Sequence, residues 1–62
     1  MRAPDPTKGL RIWYKRAAMW VGATVTYAGP KLVRLTDAAG RHVRVARPAW
    51  GFTFDVRGFD HA

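Results

Sequence analysis

Residues 33–45 read VRLTDAAGRHVRV and predict a β-hairpin. Apolar and polar side chains alternate on both sides of the central DAAG, which is typical of strands with one buried face. DAAG has Asp first and Gly fourth, the residues that a type I turn favours at these positions. Placing Asp37 opposite Arg41 sets Leu35 against Val43, so the apolar side chains of both strands share one face.

Three further runs rich in β-branched and aromatic residues flank this hairpin. With them, the predicted strands span residues 10–14, 20–27, 32–36, 41–46 and 50–56, separated by turn residues such as Ala28-Gly29-Pro30. Five short strands in a chain of 62 residues predict an all-β fold, a five-stranded antiparallel meander closed into a small barrel.

The chain is predicted to hold one domain with two short extensions. Residues 1–7, with two prolines, form an extended arm, residues 8–57 the barrel and residues 58–62 a C-terminal tail. A helix is an alternative for residues 6–21, because Asp5 is a suitable N-cap and apolar residues recur at helical spacing. The Ile-Trp-Tyr run favours the strand, and a short helical turn near residues 16–19 fits both alternatives.

The composition excludes most catalytic chemistry. The sequence has no Cys, Ser, Asn, Gln or Glu, so disulfides, thiolate metal sites and the usual nucleophiles are absent. The two His and four Asp residues show neither metal-ligand spacing nor a close carboxylate pair. We therefore expect a protein that is not an enzyme, without cofactor, metal or small-molecule substrate.

The charge is positive and concentrated in the middle of the chain. Eleven Lys and Arg residues oppose four Asp residues, for a net charge of +7. Residues 8–47 hold nine of these cations and only one acid, Asp37. A polyanion is the natural partner of such a field.

No apolar run is long enough for a membrane span and the N-terminus lacks a signal-peptide core. We therefore expect no membrane partner and a cytoplasmic location, nucleoid-associated if chromosomal.

The strand registers predict which side chains share the outward face. With Tyr14 opposite Val21 and a three-residue loop at 28–30, Val25 lies opposite Val33, and every inward position is apolar. Two outward rows follow, Arg11-Thr24-Arg34-Arg44 and Trp13-Gly22-Thr36-His42. The first row places three arginines side by side, an arrangement that favours a bound anion.

Two motifs resemble the SH3-like small barrels. Residues 20–25, WVGATV, fit a W-x-G-x-x-V strand, and residues 33–45 look like the central hairpin of Tudor-type domains. The resemblance implies a five-stranded barrel; basic barrels of similar size serve as chromosomal DNA-binding proteins in archaea. The Tudor aromatic cage is not assignable, since only Trp20 and Tyr27 are near candidate positions. Type II dihydrofolate reductases share W-x-G-x-x-V, but HVRV at 42–45 replaces their active-site run, so that activity is not carried over.

The sequence therefore predicts a non-enzymatic protein that binds nucleic acid, DNA or RNA, through a basic, Trp-bearing sheet face. Little sequence specificity is expected, because Asn and Gln, the usual readers of adenine, are missing. The candidate site residues are Arg11, Trp13, Lys15, Arg16, Arg34, Arg41, Arg44 and Arg47.

An alternative function is a small phage- or plasmid-type protein-interaction module. Such an inhibitor or structural subunit would dock on an acidic protein partner or form a homo-oligomer. Its interface would use exposed apolar side chains with arginines at the rim. The candidates are Met19, Trp20, Leu32, Trp50 and Phe59.

Overall fold

The computed structural model describes residues 3–58 and is all-β, as predicted. Its elements are β1 (Arg11–Arg16), β2 (Met19–Ala28), β3 (Leu32–Asp37), β4 (His42–Ala46), a 3-10 helix (Arg47–Ala49) and β5 (Val56–Gly58). The strands form one antiparallel sheet in the order β4-β3-β2-β1-β5.

The central hairpin has the predicted register. Leu35 pairs with Val43 and Arg34 with Arg44. The turn closes with a hydrogen bond from the Gly40 N–H to the Asp37 carbonyl (2.9 Å), and Gly40 has a φ of 80°. Because glycine enters this conformation without a Cβ penalty, the DAAG chemistry and the apolar pairing specify the same turn.

The first hairpin confirms the strand alternative for the region that could have been helical. Ile12 pairs with Ala23, and Tyr14 pairs with Val21 as predicted. The predicted helical turn at residues 16–19 is wrong. Ala17 and Ala18 both have positive φ (50° and 66°), which makes a two-residue type I′ turn. Its twist matches that of the flanking strands, and this match favours it over a helical turn.

The predicted register between β2 and β3 is also wrong. Val25 pairs with Leu35 instead of Val33, and Thr24 pairs with Thr36. A β-bulge between Val25 and Tyr27 then moves the pairing by one more residue. Before the bulge, the observed register differs from the predicted one by two residues. Because side chains alternate between the two faces with period two, a shift of two residues keeps the same side chains buried.

The predicted fifth strand and the barrel closure need correction. Residues 50–54 form a turn with one isolated bridge, from Trp50 to Phe54, and the strand itself begins at Val56. Gly51 interrupts the alternating run with a φ of 74°. Within residues 3–58 the named strand ladders leave β4 and β5 as the two edges, so the sheet is not closed into a barrel.

The core lies on the inner face of the sheet. Its fully buried side chains include Ile12, Val25, Val33 and Leu35. Segments outside the strands cover this face: Phe54 stacks on Tyr14 (centroids 5.5 Å apart), and the Trp50 indole N–H donates to the Pro4 carbonyl (2.7 Å). The part of the predicted arm that is described, residues 3–7, is therefore packed against the domain.

No helix in residues 3–58 has the length and apolar character needed to cross a membrane.

Candidate nucleic-acid interface

The face of the sheet opposite the core, here called the outer face, carries most of the predicted site residues. It is defined by the side chains that alternate with the buried ones along each strand. These are Arg11, Trp13 and Lys15 on β1, Trp20, Gly22 and Thr24 on β2, Arg34 and Thr36 on β3, His42 and Arg44 on β4, and Arg57 on β5.

Arg34 and Arg44 are the only two cations placed directly opposite each other in the strand ladders of residues 3–58. The Asp37 N–H donates to the Arg41 carbonyl, and the Arg47 N–H donates to the Lys31 carbonyl, at the two ends of the β3–β4 ladder. Hydrogen-bonded and non-hydrogen-bonded pairs alternate between these ends, so Arg34 and Arg44 form a non-hydrogen-bonded pair. Their Cα atoms are therefore about 4.5 Å apart, the shorter of the two antiparallel spacings.

Neither arginine of this pair has an acidic partner in the described part of the chain. The single salt bridge within residues 3–58 joins Arg41 to Asp37. The Arg34 guanidinium lies over the Tyr27 ring, 5.5 Å from its centroid, and this contact neutralises no charge. Both arginines are exposed and, with Thr26, Thr36 and His42, line a surface depression of about 390 Å³.

Arg11 does not join these two arginines in one row. The shifted register places it in the row Arg11-Thr24-Thr36-His42, while Arg34 and Arg44 lie in the next row beside Tyr27. Neighbouring rows on one face are two residues apart, or about 7 Å. The predicted line of three arginines is therefore wrong. Arg11 borders a second depression of about 300 Å³ with Trp13, Thr24 and Thr36.

The predicted aromatic residue is placed as expected, and a cation next to it was missed. Trp13 lies half-buried opposite Gly22, as predicted. On its other side, Trp13 pairs with Arg57, whose guanidinium lies 4.3 Å from the centroid of the Trp20 ring. Arg57 was missed because the predicted fifth strand ended at residue 56. Nothing in the sequence indicates that Arg57 lies opposite Trp13.

The remaining predicted site residues divide into two groups. Lys15 and Arg16 are exposed at the end of β1, next to the type I′ turn. Arg41 and Arg47 make contacts within the domain. The Arg41 guanidinium forms an ion pair with Asp37 (3.5 Å), and the Arg47 Nε donates to the Gly29 carbonyl (2.7 Å). The Arg47 guanidinium is thus partly engaged within the fold, whereas that of Arg41 is exposed and makes a single long contact.

Asp37 has a structural role that the sequence did not reveal. Its carboxylate is buried and accepts hydrogen bonds from the Tyr14 hydroxyl (2.8 Å) and from the N–H groups of Ala39 (3.0 Å) and Arg41 (2.8 Å). The backbone N–H of Arg41 contributes most to lowering the pKa of Asp37, with Tyr14 and Ala39 adding to it against the effect of burial. Burial, followed by the bond to Asp37, raises the pKa of Tyr14.

The apolar candidates for a protein interface are spread over different parts of the surface. Met19 is 67% exposed, whereas Trp20, Leu32 and Trp50 are half-buried, and Phe59 lies outside the described residues. Within residues 3–58, the most exposed large apolar side chain is that of Phe52, at 81%. The sequence missed it, because the predicted strand there does not form.

No protein-family model matches the sequence, and no curated protein or solved structure matches it. Residues 3–58 contain no group of three or more side chains that could hold a metal ion.

Proposed function

We propose that this protein binds nucleic-acid backbones, DNA or RNA, through the outer face of its sheet and with little sequence specificity. The observation that carries the proposal is the Arg34–Arg44 pair, two like charges at the short cross-strand spacing with no acidic partner in residues 3–58. Like charges in such a pair destabilise a sheet by roughly 0.5 kcal/mol. A phosphate bound between them removes this repulsion and gains charge-assisted hydrogen bonds.

The other cations of the outer face extend the contact area. Arg11, Lys15 and Arg57 lie on β1 and β5, so cations are present from one edge of the sheet to the other. Each contacted phosphate releases condensed counterions, which is the main source of non-specific affinity for nucleic acid. Base readout is limited to arginine contacts with guanine, because the sequence has no Asn or Gln.

The fold family is part of the same proposal. Five short antiparallel strands in meander order, with β1 between β2 and β5, support an SH3-like affiliation in which the sheet is open between β4 and β5. The function does not depend on this affiliation, since the proposed contacts come from the outer face alone.

The proposal is tested by removing the central pair without changing any other charge. We expect the double variant Arg34→Gln/Arg44→Gln to bind a labelled 20-base-pair duplex about a hundredfold more weakly at 50 mM salt. Each lost phosphate contact releases about 0.9 fewer counterions, which is worth about tenfold at that salt concentration. Fluorescence anisotropy measures the affinity.

The matched control is Lys8→Gln/Lys31→Gln, which removes two exposed lysines outside the outer face and gives the same net charge. It should bind within about threefold of the natural protein, because neither lysine lies on the outer face, where it would contact the bound backbone. Equal losses in both double variants would reject the outer face as the binding site.

A further inference from the structure

The edge of β4 that faces away from β3 carries a row of backbone N–H and C=O groups without partners in residues 3–58. Arg41 and Arg47 bond to β3 and its preceding loop, and antiparallel alternation directs the backbone groups of Val43 and Val45 toward β3 as well. The N–H and C=O groups of the intervening His42, Arg44 and Ala46 therefore point away from the sheet. All three residues are exposed, and within residues 3–58 β4 is an edge strand.

The side chains along this edge favour a partner of definite charge. An added strand would have its outward side chains next to Arg44 and His42, with Arg34 one strand further in. Its inward side chains would lie next to Val43, which is half-buried and packs on the core, and next to Val45. The edge thus fits an extended segment that alternates acidic and apolar residues.

A second copy of the chain fits this edge poorly. Antiparallel pairing of two β4 strands centred on Arg44 would place the two Arg44 side chains opposite each other, beside both Arg34 side chains. Charged side chains on edge strands oppose such self-pairing in natural sheets. Charge complementarity therefore selects an acidic partner over a second copy.

From this geometry we infer that β4 binds an extended acidic segment of another protein by β-augmentation, adding a sixth strand to the sheet. This inference goes beyond the proposed function, because it uses the main chain of the sheet edge. Arg44 is shared by the two sites, so a bound acidic strand would compete with nucleic acid.

Ala46 provides a variant that blocks the edge alone. Its φ is −63°, the value that proline requires, and its N–H points away from β3. Ala46→Pro therefore removes an edge donor and keeps every charge, and proline is tolerated in edge strands at such positions. Ala46→Ser is the matched control, since it keeps the N–H.

The probe is an N-acetylated, C-amidated octapeptide of alternating Asp and Val, titrated into the ¹⁵N-labelled full chain and followed by amide chemical shifts. We expect saturable shifts centred on residues 42–46, unchanged in Ala46→Ser and at least tenfold weaker in Ala46→Pro. The Ala46→Pro variant should keep its affinity for the nucleic-acid duplex, which separates this inference from the proposed function.

Three results would overturn the inference: no shifts in the natural protein, equal peptide binding by Ala46→Pro, or a concentration-dependent dimer that Ala46→Pro abolishes. The last result would assign the edge to a second copy. If Ala46→Pro does not fold, the same peptide N-methylated at alternate residues takes its place, because it keeps the side chains but cannot pair with a strand. Equal binding of both peptides then rejects β-augmentation.

Discussion

Asp37 connects the turn of the central hairpin to the core of the domain. Its carboxylate accepts from the Tyr14 hydroxyl on β1 and from two backbone N–H groups of the turn. The bond from Tyr14 spans 23 residues of sequence and joins β1 to the β3–β4 hairpin, whereas the two backbone bonds lie within the turn. Arg41 adds an ion pair at the surface side of the same carboxylate, with 3.5 Å between its guanidinium and the carboxylate oxygen.

This network predicts that the free energy of unfolding depends on pH in the acidic range. The folded-state pKa of Asp37 is lowered, so its contribution is complete above the unfolded pKa of about 3.9 and is lost as the pH falls through the lower folded value. We expect the natural protein to be more stable than Asp37→Asn at pH 7, and the difference to shrink steadily below about pH 4. Urea unfolding at several pH values measures it. A difference that stays constant down to pH 2 would contradict this role.

At the scale of single elements, the type I′ turn between β1 and β2 is locally strained. Ala17 and Ala18 both lie in the left-handed region, where a residue with a Cβ costs roughly 1–2 kcal/mol. The hairpin forms nevertheless because β1 and β2 align in six residue pairs, and the inward pairs Ile12–Ala23 and Tyr14–Val21 pack in the core. Tertiary packing therefore overrides the local preference of the two alanines.

Ala17→Asn/Ala18→Gly should stabilise the protein by about 1 kcal/mol, because Asn-Gly is the preferred pair for this turn. For a domain of this size that raises Tm by about 4–8 °C. The control Ala38→Gly, at a loop position outside the left-handed region, should lower Tm because glycine there only adds unfolded-state entropy. Thermal unfolding followed by circular dichroism decides; a stabilisation of equal size in both variants would refute the strain.

The elements show which parts of the fold the sequence can specify. The β3–β4 hairpin was predictable because turn chemistry and apolar pairing agree on one register. The β2–β3 register was not, because an even slip leaves the same residues buried, and nothing in the sequence marks the bulge after Val25. The apolar alternation of residues 50–56 was misleading, since a single glycine in a left-handed conformation turns the chain there.

These differences also explain what could be predicted of the candidate site. Arg34 and Arg44 were paired correctly, because they belong to the hairpin with the well-specified register. Arg11 was aligned with them through the wrong β2–β3 register, and Arg57 was missed with the fifth strand. The buried role of Asp37 depends on a contact with Tyr14 that only the folded sheet creates.

The apolar core and the cations lie on opposite faces of the sheet, and this separation supports the proposed function. The inner face holds the apolar core, while the outer face presents Arg11, Lys15, Arg34, Arg44 and Arg57 in a chain of net charge +7. Such a distribution favours fast, salt-sensitive association with a polyanion.

The salt dependence of duplex binding tests most directly whether the outer face binds nucleic acid. One phosphate contact by each of the five outer-face cations predicts a slope of log K against log salt of about −4.5. This slope corresponds to a loss of affinity of about 500-fold between 50 and 200 mM salt. Arg34→Gln/Arg44→Gln should reduce the slope to about −2.7, while Lys8→Gln/Lys31→Gln should keep that of the natural protein. A slope near zero, or one that the loss of Arg34 and Arg44 leaves unchanged, would contradict the assignment of the outer face to nucleic-acid binding.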